Sequence, residues 1–172
     1  EEEGLQRRQR RLRLFSREMS DIVGNRILQL DIDSLIVAPI GPELIETETP
    51  MTIWRCPSIG RHGYALNPSF MFFKADQLHF IWEDYVANWE AQRNEARSAG
   101  WTGNDQAVIG YRMHTKDIKT VDVTDGFYSW RDHDCRILPA GARLVSFYGN
   151  FDQAHPVIQT QAPWIKDFWS CD

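Results

Sequence analysis

Hydrophobic and polar positions along the chain alternate between two periods. Leu5, Leu12, Phe15 and Met19 recur at roughly helical spacing within a strongly charged opening segment. This predicts an amphipathic helix over residues 1–19, closed by Gly24 and Asn25. Residues 26–37 then read as a buried strand that carries two aspartates, Asp31 and Asp33, followed by a short extended run. Pro39, Gly41 and Pro42 end it. Two more strands are predicted at 51–55 and 65–73, joined by a glycine-containing loop at 56–64. Residues 76–98 read as one helix, with Phe80, Ile81, Tyr85 and Trp89 on a stripe and Gly100 just past its end. A short helix follows over 107–113, with Asp105 in or near its first turn. Residues 121–123 and 142–148 read as strands, Asp125-Gly126 as a turn, and Trp164–Trp169 as a closing helix.

Strands alternate with helices, so the expected class is α/β. Short links such as 55–65 suit antiparallel neighbours, so the sheet is expected to be mixed. The chain divides into a charged N-terminal helix, residues 1–25, and a main domain, residues 26–172.

Composition narrows the function. The 172 residues are 42% hydrophobic and 25% charged, which is ordinary for a globular domain. The net charge of −5 argues against nucleic acid as a partner. The three cysteines are far apart and form no CxxC pair, which points to a reducing, cytoplasmic compartment. No apolar run approaches the roughly 18 residues of a membrane span, and no secretory signal is visible. The opening arginines suit a solvated helix face, or contact with anionic lipid or phosphate.

The candidate chemistry centres on Asp31 and Asp33. Residues i and i+2 on a strand point to one face, so both carboxylates would aim at one spot. Their mutual repulsion is relieved by a hard cation, and Mg²⁺ or Mn²⁺ accepts carboxylate and phosphate oxygens together. The bland alternative is a strand end with two solvated aspartates. In the same way, Asn67 before Pro68 could be a turn residue, and Asp105 a helix cap.

The string from Leu30 to Val37 resembles the D-x-D core of GT-A glycosyltransferases, above all the glycogenin-like group. Asn67-Pro68-Ser69 before Phe70-Met71-Phe72 resembles that family's Asn-Ser-Gly strand. Gly103-Asn104-Asp105-Gln106 resembles its Gly-Asp-Gln motif with one inserted residue. Leu144 to Gly149, followed by His155-Pro156, resembles its late Phe-His-Gly motif, and Trp164 and Trp169 its closing helix.

The resemblance implies a Rossmann-related mixed sheet flanked by helices. It also implies transfer of a sugar from a nucleoside-diphosphate sugar to a hydroxyl of a carbohydrate or other acceptor. Asp33 would bind Mn²⁺ or Mg²⁺, and Asp31 the metal or the nucleotide ribose. Asn67, Ser69, Tyr148 and Gly149 would line the substrate. Asp105 would orient the acceptor or stabilise developing positive charge, and Gln106 would hydrogen-bond a sugar hydroxyl. Phosphate could be met by Arg131, Arg136, Arg143 or Lys166. Tyr148 stands where the family offers a metal-binding histidine. The favoured expectation is a cation held by the two aspartates with phosphate and water. His155 reaching in, or loss of metal binding, are the alternatives. Too few residues precede the Asp31 segment for the family's base-binding βαβ unit. A fragment with an exposed sheet edge, prone to self-association, is therefore expected. Two other readings compete: a non-catalytic sugar-binding relic, and a haloacid-dehalogenase-type phosphatase using Asp31 as nucleophile.

Overall fold

The computed structural model describes residues 7–55, 66–101, 105–147, 149 and 151–169, with side chains from Arg10 onward. Its strands are β1 (Arg26–Leu30), β2 (Ser34–Ile36), β3 (Met51–Arg55), β4 (Leu66–Lys74), β5 (Lys119–Val121), β6 (Phe127–Ser129) and β7 (Leu144–Ser146). Its helices are α1 (Arg17–Val23), α2 (Pro42–Ile45), α3 (Ala75–Ala87), α4 (Trp89–Ser98), α5 (Asp105–Met113) and α6 (Pro156–Gln161). Segments Arg7–Phe15, Val123–Asp125 and Pro163–Asp167 are 3-10 helices. The class is mixed α/β, with two mixed sheets flanked by helices.

The larger sheet runs in the order β1-β4-β3-β5. β4 is antiparallel to both neighbours, and β5 lies parallel to β3. β4 is buried along all but its last residue, and its stretch Phe70–Phe73 is accordingly a continuous apolar run rather than an alternation. One face carries Ile27, Ile53, Met71 and Phe73 against Leu12 and Phe15, with Leu78 and Ile81 of α3 and Val108 and Ile109 of α5. Phe15 and Phe73 lie with ring centroids 4.5 Å apart. Burying each such ring stabilises the fold by about 1.5–3 kcal/mol.

The opposite face presents Trp54 and Phe70 to Leu44, Val121, Phe127 and Leu144. This layer joins the larger sheet to a smaller one, ordered β2-β7-β6. A third cluster, with Leu35, Trp130, Val145, Phe147, Ile158 and Ile165, packs the C-terminal short helices beyond the smaller sheet.

Several sequence expectations need correction. The opening segment is not one helix. Its 3-10 run ends at Phe15, and Ser16 starts α1 by accepting the Met19 N–H on its side chain at 3.1 Å. Residues 1–6 lie outside the described residues. Leu12 and Phe15 are fully buried, so this segment shares the core of the larger sheet. The segment 76–98 is two helices. Asn88 sits at φ −160° and accepts the Ala91 N–H at 3.0 Å, so it caps α4 instead of continuing α3. Val123 belongs to a 3-10 turn, not to β5, and the closing helix is of 3-10 type over Pro163–Asp167. The Gly24 stop is as expected, at φ 94°, as is the Gly126 turn at φ 88°. A Cβ at Gly126 would lie 2.4 Å from the Gly141 carbonyl, so no other residue fits there. The expected loop at 56–64 lies outside the described residues.

Among the described residues, no helix is long and apolar enough to cross a membrane. The basic opening segment spends charge within the chain: Arg13 pairs with Glu18 and Arg17 with Glu83.

Candidate functional site

The two aspartates do not share a strand. β1 ends at Leu30 and β2 begins at Ser34, and the residues between form a turn closed by the Ser34 N–H donating to the Asp31 carbonyl at 3.2 Å. The reading of one continuous strand with both side chains on one face is therefore wrong. The turn steps from the larger sheet to the smaller one. The Asp31 N–H donates to Ser69 of β4 at 3.0 Å, whereas the Asp33 carbonyl accepts from Phe147, just past β7, at 2.7 Å. The side chains remain electrostatic neighbours, since the Asp31 charge acts on Asp33.

Asp31 is held by the larger sheet. Its Oδ1 accepts from the Arg11 guanidinium and from Gln29 Nε2, the latter at 3.1 Å. Its Oδ2 accepts from Ser69 Oγ at 2.8 Å. A break in the β3–β4 ladder places Ser69 there. Ile53 pairs with Met71, but Trp54 pairs with Asn67, so residues 68–70 drop out of that register. Pro68 has no N–H to give the ladder, which suits a bulge. Asn67, buried, accepts the Ser69 N–H on its Oδ1 at 2.9 Å and fixes the bend. Asn67 and Ser69 are thus bonded to each other, and Ser69 to Asp31, and neither lines the hollow beside Asp33.

Asp105 comes from the other side of Arg11. It opens α5, is only 5% exposed, and lies 3.5 Å from Arg11 Nε through its Oδ2. Burial pushes its carboxyl above the ordinary range, Arg11 opposes that shift, and the Asp31 charge adds to it. Arg11 therefore bridges two carboxylates that are 74 positions apart in the chain (105 − 31). Gln106 turns its Nε2 toward the Leu66 carbonyl at 3.4 Å.

Asp33 is different. Its Oδ1 is buried with no hydrogen-bond partner. Burial raises its pKa, and the Asp31 charge raises it further. A backbone amide at Asp33 and the Arg11 charge pull it down, and Asp152 pushes it up again. Asp33 opens on a hollow of about 330 Å³ lined by Ile32, Gly149, Phe151, Asp152 and Gln153. The Gln153 side chain donates to the Ile32 carbonyl at 2.9 Å and ties this loop to the turn. Gly149 adopts φ 90° and so leaves its backbone bare at the rim.

The other expected residues lie as follows. His155 is exposed and caps α6, its Nδ1 accepting from Val157 N–H at 3.2 Å. It is not among the residues lining the hollow. Tyr148 lies outside the described residues, as do Gly103 and Asn104. Of the phosphate candidates, Arg136 is paired with Asp134 and Arg143 with Glu43. Among the described residues, no three His, Cys, Asp or Glu side chains are grouped to hold a metal.

The donor chemistry nonetheless fits a hard cation. An unpartnered buried carboxylate oxygen is costly, and a divalent ion would satisfy it. Mg²⁺ and Mn²⁺ keep water and phosphate as much of their shell, so few protein ligands are needed.

Sequence reasoning missed Arg11, Gln29, Asp152 and Gln153. The helical spacing of Leu12 and Phe15 was a usable signal for Arg11, because a segment that buries those two must lie against the sheet. Gln29 is two residues from Asp31 on β1, so period 2 alone would have found it. Asp152 and Gln153 carried no local signal.

No protein-family model matches the chain, and no curated protein matches it either.

Proposed function

We propose that the chain transfers a sugar from a nucleoside-diphosphate sugar to a hydroxyl acceptor, with Mn²⁺ or Mg²⁺ held against Asp33. One observation carries this reading: the Asp33 Oδ1 is buried and unpartnered, on a residue that lines a hollow together with Asp152 and Gln153. Such an oxygen calls for a cation, and the rest of the shell suits a diphosphate. When bound, the ion neutralises the diphosphate and stabilises the charge that grows on the leaving phosphate.

The residues divide the work. Asp33 supplies the anionic oxygen for the ion. Gly149, bare of a side chain at the rim, allows phosphate to approach the backbone. Asp31, fixed by Ser69, Gln29 and Arg11, sets the position of the turn. Asp105, buried and paired with Arg11, keeps a carboxylate beside the turn, where it can hold an acceptor hydroxyl or steady positive charge at the sugar carbon. A phosphatase reading with Asp31 as nucleophile is weaker, because both of its oxygens already accept hydrogen bonds.

Arg11 favours a second reading, a nucleotide-sugar-binding domain without turnover. Its guanidinium already neutralises Asp31 and meets Asp105. Hydrolysis separates the two. Incubation with UDP-sugars or GDP-sugars and Mn²⁺ should release free sugar slowly, and Asp33→Ala should abolish both this and Mn²⁺-dependent donor binding while leaving the circular dichroism unchanged. Donor binding without hydrolysis selects the binding domain. Full donor binding by Asp33→Ala removes Asp33 from its assigned role.

A further inference from the structure

We infer that the outer edge of β1 docks a second copy of this chain, the two β1 strands pairing antiparallel about a twofold axis at Leu28. The inference does not depend on the proposed reaction.

β1 is paired on one side only. The Asp31 N–H donates to Ser69, and the Asn25 carbonyl accepts from Ala75, both across the ladder to β4. In an antiparallel ladder the bonding direction alternates along the strand. The odd-numbered residues of β1 therefore turn their backbone groups toward β4, and Arg26, Leu28 and Leu30 turn theirs outward. No described residue bonds the N–H or C=O of these three. A row of unpaired backbone groups of this kind is a template for another strand.

Nothing on β1 blunts that edge. Its register with β4 runs from Arg26 to Leu30 without a bulge, and it contains no proline. Its one charged side chain leans inward: the Arg26 guanidinium lies 5.5 Å over the Phe72 ring and 3.8 Å from Glu46. Leu28, in the middle of the strand, is 42% exposed. The opposite edge of the same sheet differs, since β5 has three residues and carries Lys119. Short length and lysine are common protections of an edge, and β1 has neither.

The pattern of the edge fits a second copy. The three outward residues are symmetric about Leu28. A twofold axis there sets Leu28 against Leu28 of the other copy, and Arg26 against Leu30. Each outward N–H then meets an outward C=O. Charge gives the direction. Arg26 starts the strand and Asp31 follows its end, so antiparallel pairing lays a basic end beside an acidic one, whereas parallel pairing sets like charges together. The half-exposed Leu28 side chains cover each other on the axis, as opposed apolar pairs do within a sheet. The contact uses the same patch on both copies, so it closes at two chains.

Sedimentation velocity on the full chain across a dilution series tests this. The parent should run as two chains when concentrated and as one when dilute. Leu28→Lys sets like charges on the axis and should weaken the dimer by at least about tenfold. Leu28→Pro should do the same by removing an outward N–H that the monomer does not use, because proline is tolerated at such edge positions. Ile36→Lys, on the edge of the smaller sheet and 44% exposed, should dimerise like the parent. Melting curves check that the variants fold, and Leu28→Lys decides the matter if Leu28→Pro is unstable. A parent that is monomeric at every concentration overturns the inference, including the case in which the edge serves a different protein. Open-ended oligomers, parent-like dimers of Leu28→Lys, or loss of the dimer in Ile36→Lys also overturn it.

Discussion

Asp31 and Asp33 are two residues apart, yet they belong to different halves of the molecule. Asp31 ends the larger sheet, where β4 and the Arg7–Phe15 segment supply Ser69 and Arg11 as donors. Asp33 begins the smaller sheet, where the backbone is tied to Phe147 but the side chain keeps an unpartnered oxygen. The large half is built around a nine-residue strand buried among apolar side chains. The small half has strands of three residues each, followed by short helices and loops. A long, well-covered strand can fix a side chain from several directions. A short one next to a loop leaves room for a ligand. The difference teaches that the pair is a division of labour: one aspartate is bonded into the framework and the other is left open.

The contrast can be broken first at its largest part. Phe15 is fully buried against Phe73. Phe15→Ala should cost about 3–5 kcal/mol in urea unfolding, as expected for a cavity in a packed core. Phe168, 41% exposed, makes the control, and Phe168→Ala should cost well under that. A small loss at Phe15 would mean that the segment before α1 is only laid on the sheet and cannot hold Arg11 in place.

A smaller effect sharpens the comparison at the turn. Ser69→Ala removes one donor from Asp31. It should lower stability by about 1.5 kcal/mol, as for a hydrogen bond to a charged group. Its Mn²⁺ affinity should remain that of the parent. A Mn²⁺ affinity that falls with Ser69 would show that the two aspartates act as one ligand set, against the division drawn here.

Much of this was readable from residue order, and the failures have physical causes. The 65–73 run could only be a buried strand, because apolar residues stand at nearly every position. Gly24, Gly100 and Gly126 marked their stops through positive φ, which few other residues adopt. Asn88 and Ser16 misled because Asn and Ser fit a helix interior poorly but tolerably, and only the local backbone decides whether their side chains become caps. β6 gave no period, since three residues cannot show one.

At the site, the residues Asp31, Asp33, Asn67, Ser69 and Asp105 were found by motif and do lie around the turn or its anchors. The reason offered for the aspartate pair was wrong, however. A strand brings i and i+2 to one face, and a turn also brings them close, so spacing could not choose between the two. Arg11 and Asp152 escaped because their contacts depend on packing between segments far apart in sequence. For Asp152, no residue near it announces the partner that Gln153 finds at Ile32.

The most direct measurement is anomalous diffraction from crystals soaked in Mn²⁺. A peak inside the hollow, touching Asp33, with Arg11 still bonded to Asp31, is the predicted result. A peak on Asp31 with Arg11 swung away, or density only on His155, would contradict the account.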